Sequence, residues 1–180
     1  NVKKRQGYIV VAIDHTDSTN EDVDIVNAPF KGFPSTLMNR SRDQQFTLDF
    51  ITQEKHFLSD VVNPNNAGLI GYSMGAFGAL NTVGGCYNFS LQQAGTFTAT
   101  QDEKMLPLVQ RVLNSCAAGQ YDNPKVDEKW KAAITFAAWG GQNDLFTDKS
   151  LADIPVPTLF VSGNLDDISG YAGIQSLYEI

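Results

Sequence analysis

Apolar runs of five to seven residues alternate along this chain with longer stretches of helical spacing. Runs of this length that are rich in β-branched residues are typical of strands buried on both faces. Alternation of such strands with helical segments is typical of βαβ units and a parallel sheet. The pattern therefore predicts an α/β domain with strands at residues 8–13, 67–71, 132–138 and 158–162.

Helical spacing appears in two of the intervening segments. Ser41 and Gln44 have the spacing of a capping box, which predicts that a helix begins there and covers residues 42–61. A second helix is predicted inside 85–131, a longer connection that could cover a pocket. The predicted apolar faces are formed by Phe46, Phe50, Phe57 and Val61 in the first helix, and by Met105, Leu106, Val109, Val112 and Leu113 in the second.

Composition limits the class of partner. The 180 residues suit one domain, and 13 basic against 20 acidic residues give a net charge of −7. Nucleic acids and anionic membranes need clustered Lys and Arg, so neither is an expected partner. No apolar run is long enough to cross a membrane. The charge balance therefore narrows the expected partners by excluding these two classes.

Metal ligands and cofactor motifs are not evident in the sequence, so we expect neither a metal nor a cofactor. The acidic stretch 14–24 could hold a cation, but a solvated loop is the favoured interpretation. Cys86 and Cys116 could form a disulfide in an exported protein or remain two buried thiols, and the sequence does not choose between these. A possible disulfide and the low Lys and Glu content favour, weakly, a secreted or periplasmic location.

The clearest chemical motif is Gly71-Tyr72-Ser73-Met74-Gly75, which matches G-x-S-x-G and lies between a predicted strand and a predicted helix. So tight a turn strains the middle residue, and side chains at Gly71 and Gly75 are expected to collide. The Ser73 hydroxyl is then held clear of the backbone as a nucleophile, with the Met74 N–H as an oxyanion donor. Tyr72 is expected to pack beside the nucleophile and contact substrate. The alternative is a glycine-rich turn with an incidental serine.

Three sequence runs, GLIGYSMGAFGAL, AAITFAAWGG and PTLFVSGNLDDISGY, resemble the α/β-hydrolase fold. More narrowly, they resemble bacterial dienelactone-hydrolase-like serine esterases, which are related to plasma-type platelet-activating-factor acetylhydrolases and polyester hydrolases. The resemblance covers residues 7–178. It implies a mostly parallel sheet with helices on both faces, and ester hydrolysis by a Ser-Asp-His triad through an acyl-enzyme. Dienelactone hydrolases proper use a cysteine nucleophile, so Ser73 favours an ordinary carboxylic-ester hydrolase. The resemblance implies an ester of a small molecule, a lipid or a polymer as substrate.

The resemblance also suggests an acid and a pocket residue. The family's acid usually lies in a G-x-x-D turn after a strand, and the turn that begins at Gly163 places Asp166 there. Asp167 is the neighbouring alternative, Asp144 is less favoured, and a turn-capping role for Asp166 is the competing interpretation. Trp139 could line the acyl pocket or could be a core aromatic at the end of a strand.

A triad histidine is missing from the expected place. The order in this fold is nucleophile, acid, histidine, whereas His15 and His56 both precede Ser73. We therefore expect residues 1–180 to be the central part of a single α/β-hydrolase domain. The N-terminal strands, the second oxyanion donor and the histidine-bearing segment would lie outside them, so the chain alone would be inactive. The alternative is a catalytically inactive hydrolase-like domain used for binding or assembly.

Overall fold

The computed structural model describes residues 7–16, 18–19, 21–24, 26–28 and 31–179. Helices and strands alternate from residue 33 onward, as the sequence predicts for an α/β domain. In chain order they are α1 (Phe33–Ile51), β1 (Ala67–Tyr72), α2 (Met74–Thr82), α3 (Leu91–Thr98), α4 (Leu106–Leu113), β2 (Trp130–Phe136), a 3₁₀ helix (Gly141–Asn143), α5 (Asp148–Leu151), β3 (Thr158–Val161) and α6 (Tyr171–Glu179).

The three strands form one parallel sheet in the order β1-β2-β3. Tyr72 lies opposite Phe136, and Phe136 lies opposite Val161, so all three strands end together at one edge of the sheet. The segments that follow β1 and β3 carry Ser73 and Asp166. The parallel arrangement therefore brings both predicted catalytic side chains to the same edge.

The prediction of a first strand at residues 8–13 is wrong for the part of the chain that the structure describes. No strand forms there, and Tyr8 and Val10 are 72% and 55% exposed. A strand needs a hydrogen-bonded neighbour. In the described sheet β1 pairs with β2 and β2 with β3, and none of these strands pairs with residues 8–13. The apolar pattern alone cannot show that such a neighbour is present.

Helices cover one face of the sheet. Helix α2 packs against β1 and β2, and α1 packs on α2. On the other face, Ile70, Tyr72 and Leu159 are 68%, 73% and 57% exposed, with Phe136 and Val161 beside them. The prediction of helices on both faces is therefore wrong for the described residues.

Helix α1 differs from its prediction in both its bounds and its buried face. It begins at Phe33, with Pro34 in its first turn, and ends at Ile51, so Ser41 and Gln44 lie inside it rather than at its start. Its buried residues are Thr36, Leu37, Ser41, Gln44 and Leu48. The predicted apolar face is exposed, as are the residues beyond the end of the helix: Phe46 is 66%, Phe57 80% and Val61 60% exposed.

Hydrogen bonds explain why a polar face of α1 is buried. The Gln44 side chain donates to the Gly75 carbonyl (3.1 Å) and accepts from the Thr82 hydroxyl (2.7 Å). A buried amide with such partners avoids the desolvation cost of an unpaired polar group. Helix α1 is thereby attached to both the first and the last turn of α2, the helix that begins directly after Ser73.

The 85–131 connection contains α3 and the predicted helix, which is observed as α4. Cys86 and Cys116 form a disulfide that closes this connection, with their Cα atoms 4.1 Å apart. Their backbones also pair as an isolated antiparallel bridge. The disulfide therefore ties the start of this connection to the residues that follow α4, and α3 and α4 lie in the loop that it closes.

Candidate active site

Ser73 is the single residue between the end of β1 and the start of α2. Its backbone has φ 50° and ψ −116°, a conformation that residues with a side chain rarely adopt. Such a conformation costs about 1–3 kcal/mol and persists only where the surroundings enforce it. Strain at one residue that joins a strand to a helix is the feature expected of a nucleophile turn.

Backbone hydrogen bonds from both sides hold Ser73 in this conformation. Its N–H donates to the Phe136 carbonyl on β2 (2.9 Å). Its carbonyl accepts from the N–H groups of Ala76 and Phe77, each at 3.0 Å, and of Trp139 at 3.3 Å. The serine is thus fixed to the neighbouring strand, to the first turn of α2 and to the segment after β2.

The two glycines of the motif are not equivalent. A Cβ at Gly71 would lie 2.5 Å from the Gly75 carbonyl carbon and 2.6 Å from the Ala76 Cα, both of which are backbone atoms. A Cβ at Gly75 would meet nothing within 4 Å. The predicted collision is therefore found at Gly71, whereas the prediction for Gly75 is wrong because its missing side chain would point into open space.

Hydrogen-bond donors of the first turn of α2 are free beside Ser73. Among the described residues, neither the Met74 N–H nor the Gly75 N–H has an acceptor, and the Ser73 hydroxyl has no partner. The first N–H groups of a helix point along its axis, and the helix dipole favours negative charge there. The turn can therefore supply Met74 as one donor to an oxyanion that forms at Ser73.

Asp166 follows β3 in a tight turn. Its Oδ1 accepts from the N–H groups of Ile168 (3.0 Å) and Ser169 (2.9 Å), while its Oδ2 accepts no hydrogen bond from the described residues. Asp166 thus has the predicted turn-capping role with one oxygen and keeps the other available. Asp167 is exposed, and so is Asp144, the residue that follows the 3₁₀ helix. Neither carboxylate is held by a pair of backbone N–H groups as that of Asp166 is.

Strand geometry sets how far apart the segments that carry Ser73 and Asp166 begin. They follow β1 and β3, which flank β2, so neighbour spacings of 4.7–4.9 Å place the strand ends about 10 Å apart. An imidazole that hydrogen-bonds through both nitrogens spans roughly 7–8 Å between its two oxygen partners. The ends of β1 and β3 are therefore far enough apart to leave room for an imidazole between the segments that follow them.

Neither histidine of the chain occupies that place. His15 is hydrogen-bonded through Nδ1 to Asp43 Oδ2 at 2.7 Å, and its side chain is 9% exposed. Burial lowers the pKa of His15, and the hydrogen bond that its Nδ1–H donates to Asp43 opposes that effect only in part. His56 accepts from the Leu58 N–H (3.2 Å). Neither ring hydrogen-bonds to Ser73 or Asp166.

Trp139 lies beside Ser73, because its backbone N–H donates to the Ser73 carbonyl. Its half-buried ring makes edge-to-face contacts with Phe33, Phe77 and Phe97, at centroid distances of 5.7, 5.3 and 5.6 Å. Phe33 and Phe97 were not identified from the sequence, since nothing local in it connects α1 or α3 with the nucleophile. Sequence reasoning could find only Trp139, which follows a predicted strand.

Tyr72 and the acidic loop at residues 14–24 are the remaining positions that the sequence singled out. The Tyr72 side chain is 73% exposed on the uncovered sheet face, so it does not pack into the core, and its contact with substrate stays a prediction. Among the described residues of the acidic loop no metal-binding group of three side chains forms, and Asp17 lies outside them. Asp24 instead accepts from the backbone and side chain of Asn27. These hydrogen bonds lower the pKa of Asp24.

Comparison with known proteins gives no relative: no family model, curated protein or solved structure matches the chain. Within the described part of the chain, no helix combines the length and apolar character needed to cross a membrane.

Proposed function

We propose that this chain carries the nucleophile and the acid of a serine carboxylic-ester hydrolase. The observation that carries this proposal is the strained backbone of Ser73, held between β1 and α2 with its hydroxyl free. A turn that costs about 1–3 kcal/mol and exposes a hydroxyl next to free helix N–H groups is suited to nucleophilic attack.

The reaction proceeds by acyl transfer in two steps. The Ser73 oxygen attacks the ester carbonyl, its proton passes to a base, and the Met74 N–H donates to the oxyanion. The alcohol leaves with a proton returned by that base, and water then releases the acyl group from Ser73. Removal of one oxyanion donor in such enzymes typically costs about 10²–10³ in rate, so the free Met74 N–H is a substantial contribution.

Asp166 orients the base in this proposal. One of its carboxylate oxygens is anchored by two backbone N–H groups, which fixes the side chain, and the other can accept from an imidazole. Because His15 and His56 have other partners, we assign the base to a histidine outside the 180 residues. The roughly 10 Å between the strand ends is compatible with an imidazole between Ser73 and Asp166.

A second candidate function is a hydrolase-like domain that binds without turnover. It is favoured by one observation, that neither histidine of the chain contacts Ser73 or Asp166. The strain at Ser73 argues against it, since a binding domain gains nothing from a strained serine.

Hydrolysis of p-nitrophenyl esters by the protein with its native termini distinguishes the two. We expect Ser73→Ala to abolish turnover and Asp166→Asn to lower kcat by orders of magnitude, whereas Asp167→Asn, one residue away and exposed, has little effect. Turnover that survives Ser73→Ala would contradict the assignment of the nucleophile. Absence of turnover in the unsubstituted protein would favour the binding domain.

A further inference from the structure

One peptide group connects helix α1 with Ser73. The peptide between Gly75 and Ala76 donates through its N–H to the Ser73 carbonyl at 3.0 Å, and its own carbonyl accepts from the Gln44 side-chain amide at 3.1 Å. Because a peptide group is planar and stiff, a hydrogen bond on its carbonyl also fixes the direction of its N–H. Gln44 therefore acts on Ser73 through a single rigid unit.

The serine turn, residues 71–75, depends on Gln44 more than on any other side chain. Among the described residues, Gln44 is the one whose side chain hydrogen-bonds to this turn. Gly75 has no side chain, and a Cβ there would meet nothing within 4 Å, so side-chain packing does not hold this residue. Glycine also has the greatest backbone freedom. The orientation of the Gly75 carbonyl therefore depends on its hydrogen bonds.

The Gln44 amide is itself held in one orientation. Gln44 is only 4% exposed, and the hydroxyl of Thr82, in the last turn of α2, lies 2.7 Å from its Oε1. The hydroxyl donates to Oε1, so the Nε2 group faces the Gly75 carbonyl and donates to it. A buried amide that is satisfied at both ends is rigid. The support for the serine turn is thus in place before any substrate binds.

We propose that Gln44 is a positioning residue for the nucleophile. It holds the peptide that holds the Ser73 carbonyl, and so keeps the strained serine and the adjacent Met74 N–H in the geometry for attack. This inference rests on the proposed function of Ser73. Backbone strain persists only where the surroundings enforce it, so loss of this hydrogen bond lets the turn relax. A reacting group displaced by about 1 Å can lose about 10²-fold in rate, so the effect falls on kcat.

Two neighbouring glutamines of α1 provide a variant and its matched control. Gln44→Met removes the amide and keeps the length of the side chain. In Gln45→Met the lost amide is one that donates to Asp127 (2.8 Å) and accepts from the Trp130 indole N–H (2.8 Å). These partners lie at the start of β2, the end of the sheet opposite to Ser73. The control therefore loses hydrogen bonds of the same kind without a change at the serine turn.

The first measurement is turnover of p-nitrophenyl acetate by the protein with its native termini, divided by the folded fraction from circular dichroism. We expect Gln44→Met to lower kcat about 3- to 10-fold, as the loss of one hydrogen bond would, and to leave KM within about twofold. Gln45→Met should change neither constant. If Gln44 only joined α1 to α2, Gln44→Met would lower the folded fraction and leave kcat per folded molecule unchanged, and that result would overturn the proposal.

The second measurement needs no turnover. Nuclear magnetic resonance follows hydrogen exchange of the Ala76 N–H, the group that donates to the Ser73 carbonyl. This exchange should be about 3- to 10-fold faster in Gln44→Met and unchanged in Gln45→Met. Equal exchange in the two variants would overturn the role of Gln44 even if Ser73 is active. Faster exchange in Gln44→Met alone, in a protein that hydrolyses no ester, would keep Gln44 as the residue that fixes the turn and reject Ser73 as the nucleophile.

Discussion

Gly71 gives the sharpest mechanical test of the turn that holds Ser73. An Ala at this position would place its Cβ 2.6 Å from the Ala76 Cα and still closer to the Gly75 carbonyl, whereas ordinary contact begins near 3.4 Å. The start of α2 would have to move away from β1 by about 0.8 Å, and backbone atoms cannot rotate aside as a side chain can. Overpacking of this kind costs about 1–3 kcal/mol or more, and we expect about 3 kcal/mol for Gly71→Ala.

Gly75→Ala is the matched control, since it adds the same methyl group four residues later. Its Cβ would meet nothing within 4 Å, and Ala is preferred to Gly in a helix by about 0.8–1.0 kcal/mol. We expect this variant to be as stable as the unsubstituted protein or slightly more stable. Urea unfolding followed by circular dichroism measures both free energies of unfolding. If the two variants differ by less than about 1 kcal/mol, the close approach at Gly71 is wrong, and with it the constraint that we infer for Ser73.

Three further predictions concern the parts of the fold around the site. Replacing Cys86 and Cys116 by Ala opens a loop with a sequence separation of 30 and should lower the free energy of unfolding by about 3.5 kcal/mol. If guanidinium titrations show that this free energy falls by less than about 1 kcal/mol, the stability of the 85–131 connection does not depend on the disulfide. Because burial lowers the pKa of His15 below 6.5, the unfolded chain binds its proton more readily, so stability should fall as the pH drops below about 6.5. His15→Gln should flatten that slope in unfolding experiments between pH 7.5 and 5, and an unchanged slope would contradict the burial of His15. In α1, Leu48→Ala should lower the free energy of unfolding by about 3 kcal/mol and Phe46→Ala by less than about 0.5 kcal/mol, because Leu48 is 5% and Phe46 66% exposed. If urea unfolding gives comparable losses for the two variants, the apolar residues named from the sequence do form the buried face of α1.

Features that depend on neighbours in the sequence were predictable. The turn at Ser73 and the strands β1, β2 and β3 have compact apolar runs and glycines within a few residues, and the structure places each of these strands within about two residues of its prediction. The placement of Ser73 and Asp166 at one sheet edge follows from parallel pairing alone.

Features that depend on distant partners were not predictable. The buried face of α1 contains Gln44 because Thr82 and Gly75 satisfy its amide, and a hydrophobicity pattern assigns such a residue to the surface. The same limit applies to Phe33 and Phe97, which meet Trp139 only after folding. The run at residues 8–13 has the composition of a strand, but no described strand pairs with it.

Reaction of Ser73 with a fluorophosphonate tests the central claim most directly. The probe forms a stable bond with an activated serine oxygen, and peptide mass spectrometry of the protein with its native termini locates the modified residue. We expect modification at Ser73, none in Ser73→Ala, and undiminished modification at Ser73 in Asp167→Asn. Equal modification of the unsubstituted protein and of Ser73→Ala, at other residues, would show that the strained turn does not hold a nucleophile.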